Sequence, residues 1–270
     1  DTEHLKVHTM KIFMDGTQKI HTAAMVTPYV DVHTTGATAF SAEGIAKLLK
    51  GLNDADLDLH LHTVGERASR TVLDGVEMAR KEMGDKLKVR VTCAHLEIQD
   101  DADLDRFAKL GVFANFTPHW HSGDPTFAAS WLGMERARKQ FRCKTLWDSG
   151  ATVAWSSDNI VFMDFMTWNP YLGMEVGMTR WINEKTRNYP FSVAAKVCPP
   201  ENERMNIEEM LLGFTINGAR QLGIEDKKGS IEVGKDADFL VFDKDLLTAE
   251  HEGFSYNKPS QVYFGGKKMN

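Results

Sequence analysis

The feature that most constrains this chain is the alternation of strand-like and helix-like segments between residues 5 and 156. Short runs rich in β-branched and apolar residues are followed by segments whose apolar residues recur three and four positions apart. Strands that alternate with helices are typical of βα units, whose strands pair in parallel within one sheet. The sequence therefore predicts an α/β fold built on a parallel sheet.

Five strands can be placed in this part of the chain. The predicted strands cover residues 5–14, 57–62, 87–94, 112–116 and 151–156. The segment 5–14 has the composition of a buried strand, and an irregular stretch follows it to about residue 40. Ser41 is the predicted N-cap of the first helix, and later helices are predicted after residue 62, at 101–110 and at about 134–148. A closed (β/α)8 barrel needs eight strands, so these five strands would form only an incomplete one.

The C-terminal third has a different character. After residue 160 the chain is mostly helical, with a capping-box-like helix start at Asn206 and Glu209 and a glycine stop at Gly223. Residues 238–243 and 261–269 then have the pattern of strands outside the parallel sheet. We expect these two strands to pair in an antiparallel way.

Composition limits the classes of partner. The formal net charge of -6 argues against a nucleic-acid partner, which would need a basic patch. We find no run of 18 apolar residues that would span a membrane, and three widely spaced cysteines suit free thiols in a reducing compartment. We therefore expect a cytoplasmic protein without a membrane partner. The sequence begins at Asp1 instead of Met, so we expect the natural start to lie upstream.

Metal-binding residue types fall at the ends of the predicted strands. Lys11 lies near the end of the first, His62 and His95 end the second and third, and Asp158 follows the fifth. The fourth strand is followed by Thr117, Pro118, His119 and Trp120. Because active sites of parallel β/α folds lie at the C-terminal ends of strands, imidazoles and a carboxylate there favour a divalent-metal site.

Each of these residues alone also has a structural explanation. A histidine at a strand end is more often hydrogen-bonded within the fold than a metal ligand. Lys11 could extend its ammonium away from an apolar strand, and Asp158 could cap the segment that follows it. The combination on four strands at one end of the sheet is what favours a metal site.

Five sequence segments together resemble the amidohydrolase superfamily, and specifically the C-terminal part of its amidohydrolase-3 (YtcJ-like) group. They are KIFMDG (11–16), HTVGERA (62–68), AHLEI (94–98), SSD (156–158) and the tail TINGARQLGIEDKKGSIEVGKDADFLVFD (215–243). The tail is the most specific of these matches. The resemblance implies an incomplete TIM-type (β/α) barrel, equivalent to strands 4–8, over residues 1–224, and the C-terminal part of a small β-sandwich over 225–270.

The resemblance also implies roles for single residues. Lys11 matches a lysine that is carboxylated and bridges two metals, whereas His62 and His95 match imidazole ligands. Asp158 matches a metal ligand that is also the general base. We expect one or two divalent ions, most simply zinc. His119 and Trp120 are candidates for the substrate pocket.

The sequence departs from the family pattern in its HxH motifs. The family carries an HxH pair on its first barrel strand, and no such pair precedes Lys11 here. The triplet His60–His62 matches a later motif, and we interpret His60 as a bystander on the opposite face of its strand. We therefore expect an N-terminal segment or a second chain to complete the barrel.

The sequence predicts a metal-dependent amidohydrolase that hydrolyses a non-peptide C–N bond in an amide, formamide or cyclic amide through a metal-activated water. Activity of the chain by itself is expected to be weak or nil. A catalytically degenerate regulatory or binding protein on the same fold is the alternative. The sequence names neither the substrate nor the metal, since specificity lies in loops and the ligand set suits several ions.

Overall fold

A computed structural model of the chain describes residues 5–122, 125–158, 168–181 and 200–269. One sheet contains β1 (Thr9–Phe13), β2 (Asp58–Thr63), β3 (Val91–His95), β4 (Phe113–Phe116) and β5 (Val153–Trp155), in that order. The strands β1 to β4 pair in parallel, and the Ala114 N–H donates to the Thr152 carbonyl beside β5. The predicted α/β fold with a parallel five-stranded sheet is confirmed.

Helices connect and follow these strands. In chain order they are α1 (Ala42–Asp54), α2 (Glu66–Met83), α3 (Leu104–Leu110), α4 (Pro125–Leu132), α5 (Met134–Ala137), α6 (Cys143–Asp148), α7 (Pro170–Thr179), α8 (Ile207–Phe214) and α9 (Ile216–Leu222). Short 3-10 turns include Gly84–Lys86, Asp101–Asp103 and Pro118–Trp120.

The first two helices pack closely against each other. The Ser41 hydroxyl accepts a hydrogen bond from the Gly44 N–H at 3.2 Å, which confirms Ser41 as the N-cap of α1. α1 buries an apolar stripe that includes Ile45 and Leu49. A Cβ at Gly75 of α2 would lie 2.6 Å from the Ile45 Cβ, so glycine permits this close approach.

Two predicted helices are each interrupted. The predicted helix at about 134–148 consists of α5 and α6, and Phe141 between them has a φ of 56° while its N–H donates to the Glu97 carbonyl. The predicted helix between Asn206 and Gly223 consists of α8 and α9, which meet at Thr215. At both places the backbone leaves the helical conformation, which the spacing of apolar residues does not indicate.

β1 is more exposed than predicted. The composition of residues 5–14 predicted a buried strand, but Phe13 is 63% exposed and Met10 is 39% exposed. β1 stands at one end of the strand order, and no described residue pairs with its outer side. The strands β2 and β3, which have neighbours on both sides, are largely buried. The correction follows from position in the sheet, because burial depends on neighbouring strands as well as on composition.

The irregular segment between β1 and α1 is held by the helix that follows β2. Arg67 of α2 donates to the carbonyls of Met25, Thr35 and Gly36 at 2.8–2.9 Å. Beneath this segment, Ala23, Met25 and Tyr29 belong to an apolar cluster with Val64 and Ile98. The loop is thus fixed by packing and by hydrogen bonds to its backbone.

The chain divides into two compact units. The first comprises residues 1–116 and 125–153, and the second comprises residues 117–124 and 154–270. The second unit contains an antiparallel sheet of β6 (Phe239–Val241), β7 (Gln261–Phe264) and β8 (Lys267–Lys268). The expected antiparallel pairing of the tail strands is confirmed. The predicted strand 261–269 consists of β7 and β8, which are joined by a turn at Gly265 and Gly266. The domain boundary after residue 224 and the β-sandwich stay predictions. Within the described part of the chain, no helix has the length and apolar character needed to cross a bilayer.

We predict that the capping box of α8 contributes measurably to stability. The Glu209 N–H donates to Asn206 and the Asn206 N–H donates to the Glu209 carboxylate, both at 2.9 Å. Asn206→Ala should lower the free energy of unfolding by about 1 kcal/mol, because the Glu209 N–H at the start of α8 loses its acceptor. Urea unfolding measures this change. The control Glu208→Gln alters an exposed neighbour in the same turn, and an equal loss there would contradict the prediction.

Candidate metal centre

Lys11, His60 and His62 lie on the same face of the sheet. Lys11 is paired with His60 and Phe13 with His62 in the register of β1 and β2. Residues two positions apart in a strand point to the same side. The interpretation of His60 as a residue of the opposite face was therefore wrong. The sheet face that carries His62 also carries His60 and Lys11.

A hydrogen bond from its Nε2 to the Gly16 carbonyl fixes the orientation of the His62 ring. The side chain is buried, and its Nε2 lies 3.0 Å from the Gly16 carbonyl oxygen. A carbonyl only accepts, so Nε2 carries the proton in this bond and Nδ1 of the neutral ring keeps a lone pair. Metal-bound histidines commonly donate their second ring N–H to a carbonyl or carboxylate in this way. His62 thus fits a ligand that binds through Nδ1.

His95 reaches His62 through an unusual backbone conformation. His95 is paired with Thr63 in the register, and strict alternation would place it on the face opposite to His62. Its φ is instead 77°, that of Leu96 is 48°, and the His62 and His95 ring centroids lie 4.5 Å apart. Non-glycine residues at positive φ store strain of order 1–3 kcal/mol and concentrate at functional sites. The turn brings two imidazoles together.

The imidazoles of His60 and His95 are held in the neutral form. Burial lowers the pKa of His95 to about 3, helped by the charges of His62, Lys11 and His60. Burial, followed by the charge of Lys11, lowers the pKa of His60 to about 4. A histidine must be deprotonated to bind a metal, so these shifts favour the ligand form at neutral pH.

Asp15 fastens the loop after β1 to the end of β2. Its carboxylate accepts hydrogen bonds from the N–H groups of Ala24, Val64 and Gly65 at 2.8–3.0 Å. One of its oxygens lies 3.8 Å from the His62 Nε2. Burial raises the pKa of Asp15, while the three N–H donors and His62 act to lower it. In the sequence Asp15 gave only a turn signal with Gly16, so this supporting role was missed.

Lys11 contributes charge to this site. The residue is exposed on β1, with its ammonium 5.6 Å from the centroid of the Phe13 ring. Among the described residues, no group of three or more His, Cys, Asp and Glu side chains is placed to hold one ion. The first unit therefore brings together two of the predicted ligands, His62 and His95, with Lys11 on the same sheet face as His62. Their donor types fit a divalent metal such as zinc.

The other predicted site residues belong to the second unit. Asp158 follows β5 with a φ of 43°. His119 is buried in the turn Pro118–Trp120, where its Nε2 donates to the Asn169 carbonyl at 3.0 Å. A Cβ at Gly173 would lie 2.7 Å from the His119 ring, so glycine makes room for it. A metal role for Asp158 and a substrate role for His119 and Trp120 stay predictions.

Comparison with known proteins decides the family. A sequence profile described as the amidohydrolase family (Amidohydro_3) matches residues 1–269. The chain belongs to this family. The residues that led to the same assignment, Lys11, His62, His95 and Asp158, all lie within the match.

Three curated relatives match most of this chain. YtcJ of Bacillus subtilis is 25% identical over 90% of the chain and 43% of its own length. Protein LONG AFTER FAR-RED 3 of Arabidopsis thaliana is 25% identical over 99% of the chain and 44% of its own length. N-substituted formamide deformylase of Arthrobacter pascens is 26% identical over 89% and 41%. The chain thus spans less than half the length of these relatives.

Solved structures support the fold of this amidohydrolase family member. A metal-dependent hydrolase from Pyrococcus horikoshii superposes with a TM-score of 0.73 at 22% identity, covering 91% of this chain and 46% of that protein. A metal-dependent hydrolase from Pyrococcus furiosus gives 0.69 at 24% identity, covering 88% and 44%. At these identities the likeness establishes the shared α/β architecture.

We predict that removal of the Asp15 carboxylate destabilises the chain strongly. Asp15→Ala leaves three backbone N–H groups without an acceptor, and each unsatisfied buried donor costs about 1–3 kcal/mol. We expect the free energy of unfolding to fall by at least about 3 kcal/mol in urea titrations.

Asp31→Ala is the matched control for this variant. Asp31 accepts a hydrogen bond from His21 at 2.8 Å in an exposed position. Loss of such an exposed pair should cost no more than about 1 kcal/mol. Equal losses in the two variants would show that Asp15 does not fasten the loop.

We predict a pH-dependent stability that depends on His95. In metal-free protein the unfolded chain protonates His95 near pH 6.5, whereas the lowered pKa keeps the folded residue neutral to about pH 3. The stability that neutral His95 contributes is present above pH 6.5 and is lost as the pH falls. Urea unfolding should show wild type losing stability relative to His95→Gln by up to about 1.4 kcal/mol per pH unit in this window. Parallel pH profiles would contradict the assignment.

Proposed function

We propose that this chain is the metal-binding part of an amidohydrolase that hydrolyses a non-peptide C–N bond in an amide, formamide or cyclic amide. The observation that carries the proposal is the pair His62 and His95, with ring centroids 4.5 Å apart and the His62 Nε2 donating to Gly16. Burial keeps His95 neutral, and the bond from His62 to Gly16 fixes which nitrogen faces the ion. The metal-dependent hydrolases of Pyrococcus with a similar fold are consistent with a metal role.

Lys11 is the third proposed ligand and lies on the same sheet face as His62. An ammonium cannot bind a cation, so the proposal requires that the Lys11 amine be converted to a carbamate, which supplies anionic oxygen ligands. The exposure of Lys11 on β1 leaves its amine accessible to carbon dioxide. Asp158 is the proposed fourth ligand.

The proposed chemistry assigns separate tasks to these residues. A bound divalent ion, most simply zinc, supplies an acidified water and polarises the scissile carbonyl. His62 and His95 hold the ion, and Asp158 accepts the proton of the attacking water and returns it to the leaving amine. His119 and Trp120 are proposed to contact the substrate. The relative named N-substituted formamide deformylase supports an amide-type substrate.

We also propose that the sheet of this chain is part of an incomplete TIM-type barrel. The outer edge of β1 has no strand beside it among the described residues, and apolar side chains of β1 such as Phe13 are exposed. The curated relatives are more than twice as long as the matched part. An N-terminal segment or a second chain that adds strands to β1 would close the barrel and supply further metal ligands.

A catalytically degenerate binding or regulatory protein is the second candidate. The observation that favours it is that the described residues hold no group of three conventional metal ligands. The two candidates differ in whether the protein hydrolyses an amide at all, and the hydrolase candidate requires Asp158 for that hydrolysis.

We predict that zinc binding depends on the two paired histidines. In equilibrium dialysis, His62→Gln and His95→Gln should each lower zinc affinity by at least about tenfold, because each variant removes a side chain that binds the ion directly. His33→Gln is the control, since His33 is exposed on the loop before α1. In a protein that also supplies the proposed missing strands, Asp158→Asn should still bind zinc but hydrolyse a panel of amides and formamides at least about a hundredfold more slowly than the same protein with Asp158. A fully folded wild type that binds no metal would refute the proposal.

A further inference from the structure

The side chain of Gln18, in the loop after β1, joins two other segments of the first unit. Gln18 is only 5% exposed. Its Nε2 donates a hydrogen bond to the Glu97 carboxylate, and its Oε1 accepts from the Trp131 indole at 3.2 Å. Glu97 follows β3, and Trp131 belongs to α4, which comes after β4. Segments that follow three different strands therefore meet at one buried amide.

The two partners determine the orientation of the Gln18 amide. An indole N–H only donates, so Trp131 requires the amide oxygen, and the amide nitrogen is left to donate to Glu97. If the amide were reversed, two N–H donors would face each other and its carbonyl oxygen would face the carboxylate. Gln18 therefore makes both contacts in this one orientation.

Glu97 belongs to the strained turn that carries His95. It comes directly after His95 and Leu96, whose φ values are 77° and 48°. The N–H groups of Leu96 and Ile98 donate to carbonyls at the C-terminal end of β2 at 2.9 and 3.0 Å. These bonds hold the turn against β2, whereas the side-chain bond from Gln18 holds it against the loop after β1. Backbone strain of this kind persists where surrounding contacts fix it.

We propose that Gln18 is a positioning residue for His95. By holding Glu97 against the loop after β1, the Gln18 amide keeps the turn in its left-handed form and the His95 ring beside His62. The inference rests on the proposed metal role of this histidine pair. Asp15, three residues before Gln18, orients His62. A single loop thus positions both imidazoles through two different side chains.

Hydrogen exchange of backbone amides in the metal-free chain tests this role. Gln18→Met keeps a side chain of similar size and deletes both of its hydrogen bonds. We expect exchange at Leu96 and Ile98 to accelerate at least about tenfold more than exchange at Leu59, because the turn opens locally. The Leu59 N–H donates to the Arg90 carbonyl at the opposite end of β2 and β3, so it records any global loss of stability.

An exchange of the two side chains supplies the rescue. In the double variant Gln18→Glu with Glu97→Gln, the introduced carboxylate can accept from Trp131 and from the introduced amide. Both bonds then form again with donor and acceptor reversed, and the net charge of the pair is unchanged. We expect exchange at Leu96 and Ile98 to return to within about threefold of wild type.

Zinc affinity, measured by equilibrium dialysis, is the second readout. Gln18→Met should lower it at least about tenfold, as loss of a group that orients a metal ligand commonly does, and the double variant should restore it. Arg67→Met is the control, since Arg67 holds the same loop through its bonds to the carbonyls of Met25, Thr35 and Gly36. It should lower Tm but change zinc affinity by less than about threefold.

Three results would overturn the role of Gln18. They are equal acceleration at Leu59 and Leu96 in Gln18→Met, a double variant that is not restored, and a loosened turn with unchanged zinc affinity. A wild type that binds no zinc would instead refute the proposed metal centre. The exchange rates of the metal-free chain would still decide whether Gln18 holds the turn.

Discussion

The Asp15 carboxylate is the interaction on which the candidate metal centre depends. It lies where β1 ends and accepts hydrogen bonds from the backbone of the next loop and from the residues that follow His62. These bonds place the Gly16 carbonyl against the His62 Nε2, which fixes the tautomer and the orientation of the ring. Asp15 therefore decides which nitrogen of His62 is left for an ion in the proposed metal centre. This arrangement is the supporting layer that metal sites commonly require.

The second constraint is the strained backbone at the end of β3. A regular strand would direct His95 away from His62, and the positive φ values of His95 and Leu96 reverse that direction. Tertiary bonds stabilise the turn, because the Leu96 N–H donates to Thr63 and the Ile98 N–H donates to Val64. The strain of this turn is a cost to folding that a bound cation would offset in the proposed metal centre.

Much of the architecture could be predicted from local sequence patterns. The alternation of apolar periods predicted the parallel sheet, and Ser41 and Asn206 marked helix starts because their caps involve residues three positions away. The exposure of β1 could not be predicted in this way, since it depends on which strands lie beside it. The helix interruptions at Phe141 and Thr215 could not be predicted either. The spacing of apolar residues indicates which face of a helix is buried, but not where the backbone leaves helical dihedral angles.

The residues of the candidate metal centre could be named from the sequence, but the interactions that hold them in place could not. His62 and His95 were identified by their positions at strand ends, but the left-handed turn that joins them is not visible in the sequence. Asp15 bonds to residues 49 and 50 positions away, a separation that no local pattern reports. The two-residue period of a strand already places His60 on the face of His62, so the sequence itself contradicts its interpretation as a residue of the opposite face.

Anomalous X-ray scattering at the zinc edge, from crystals grown with zinc and bicarbonate, tests the central claim most directly. The account predicts a peak about 2.0–2.1 Å from the Nδ1 of His62 and from a ring nitrogen of His95, the usual zinc–imidazole distance. It also predicts carbamate density on Lys11 toward the peak. A well-ordered structure whose zinc peaks all lie away from His62 and His95 would contradict it.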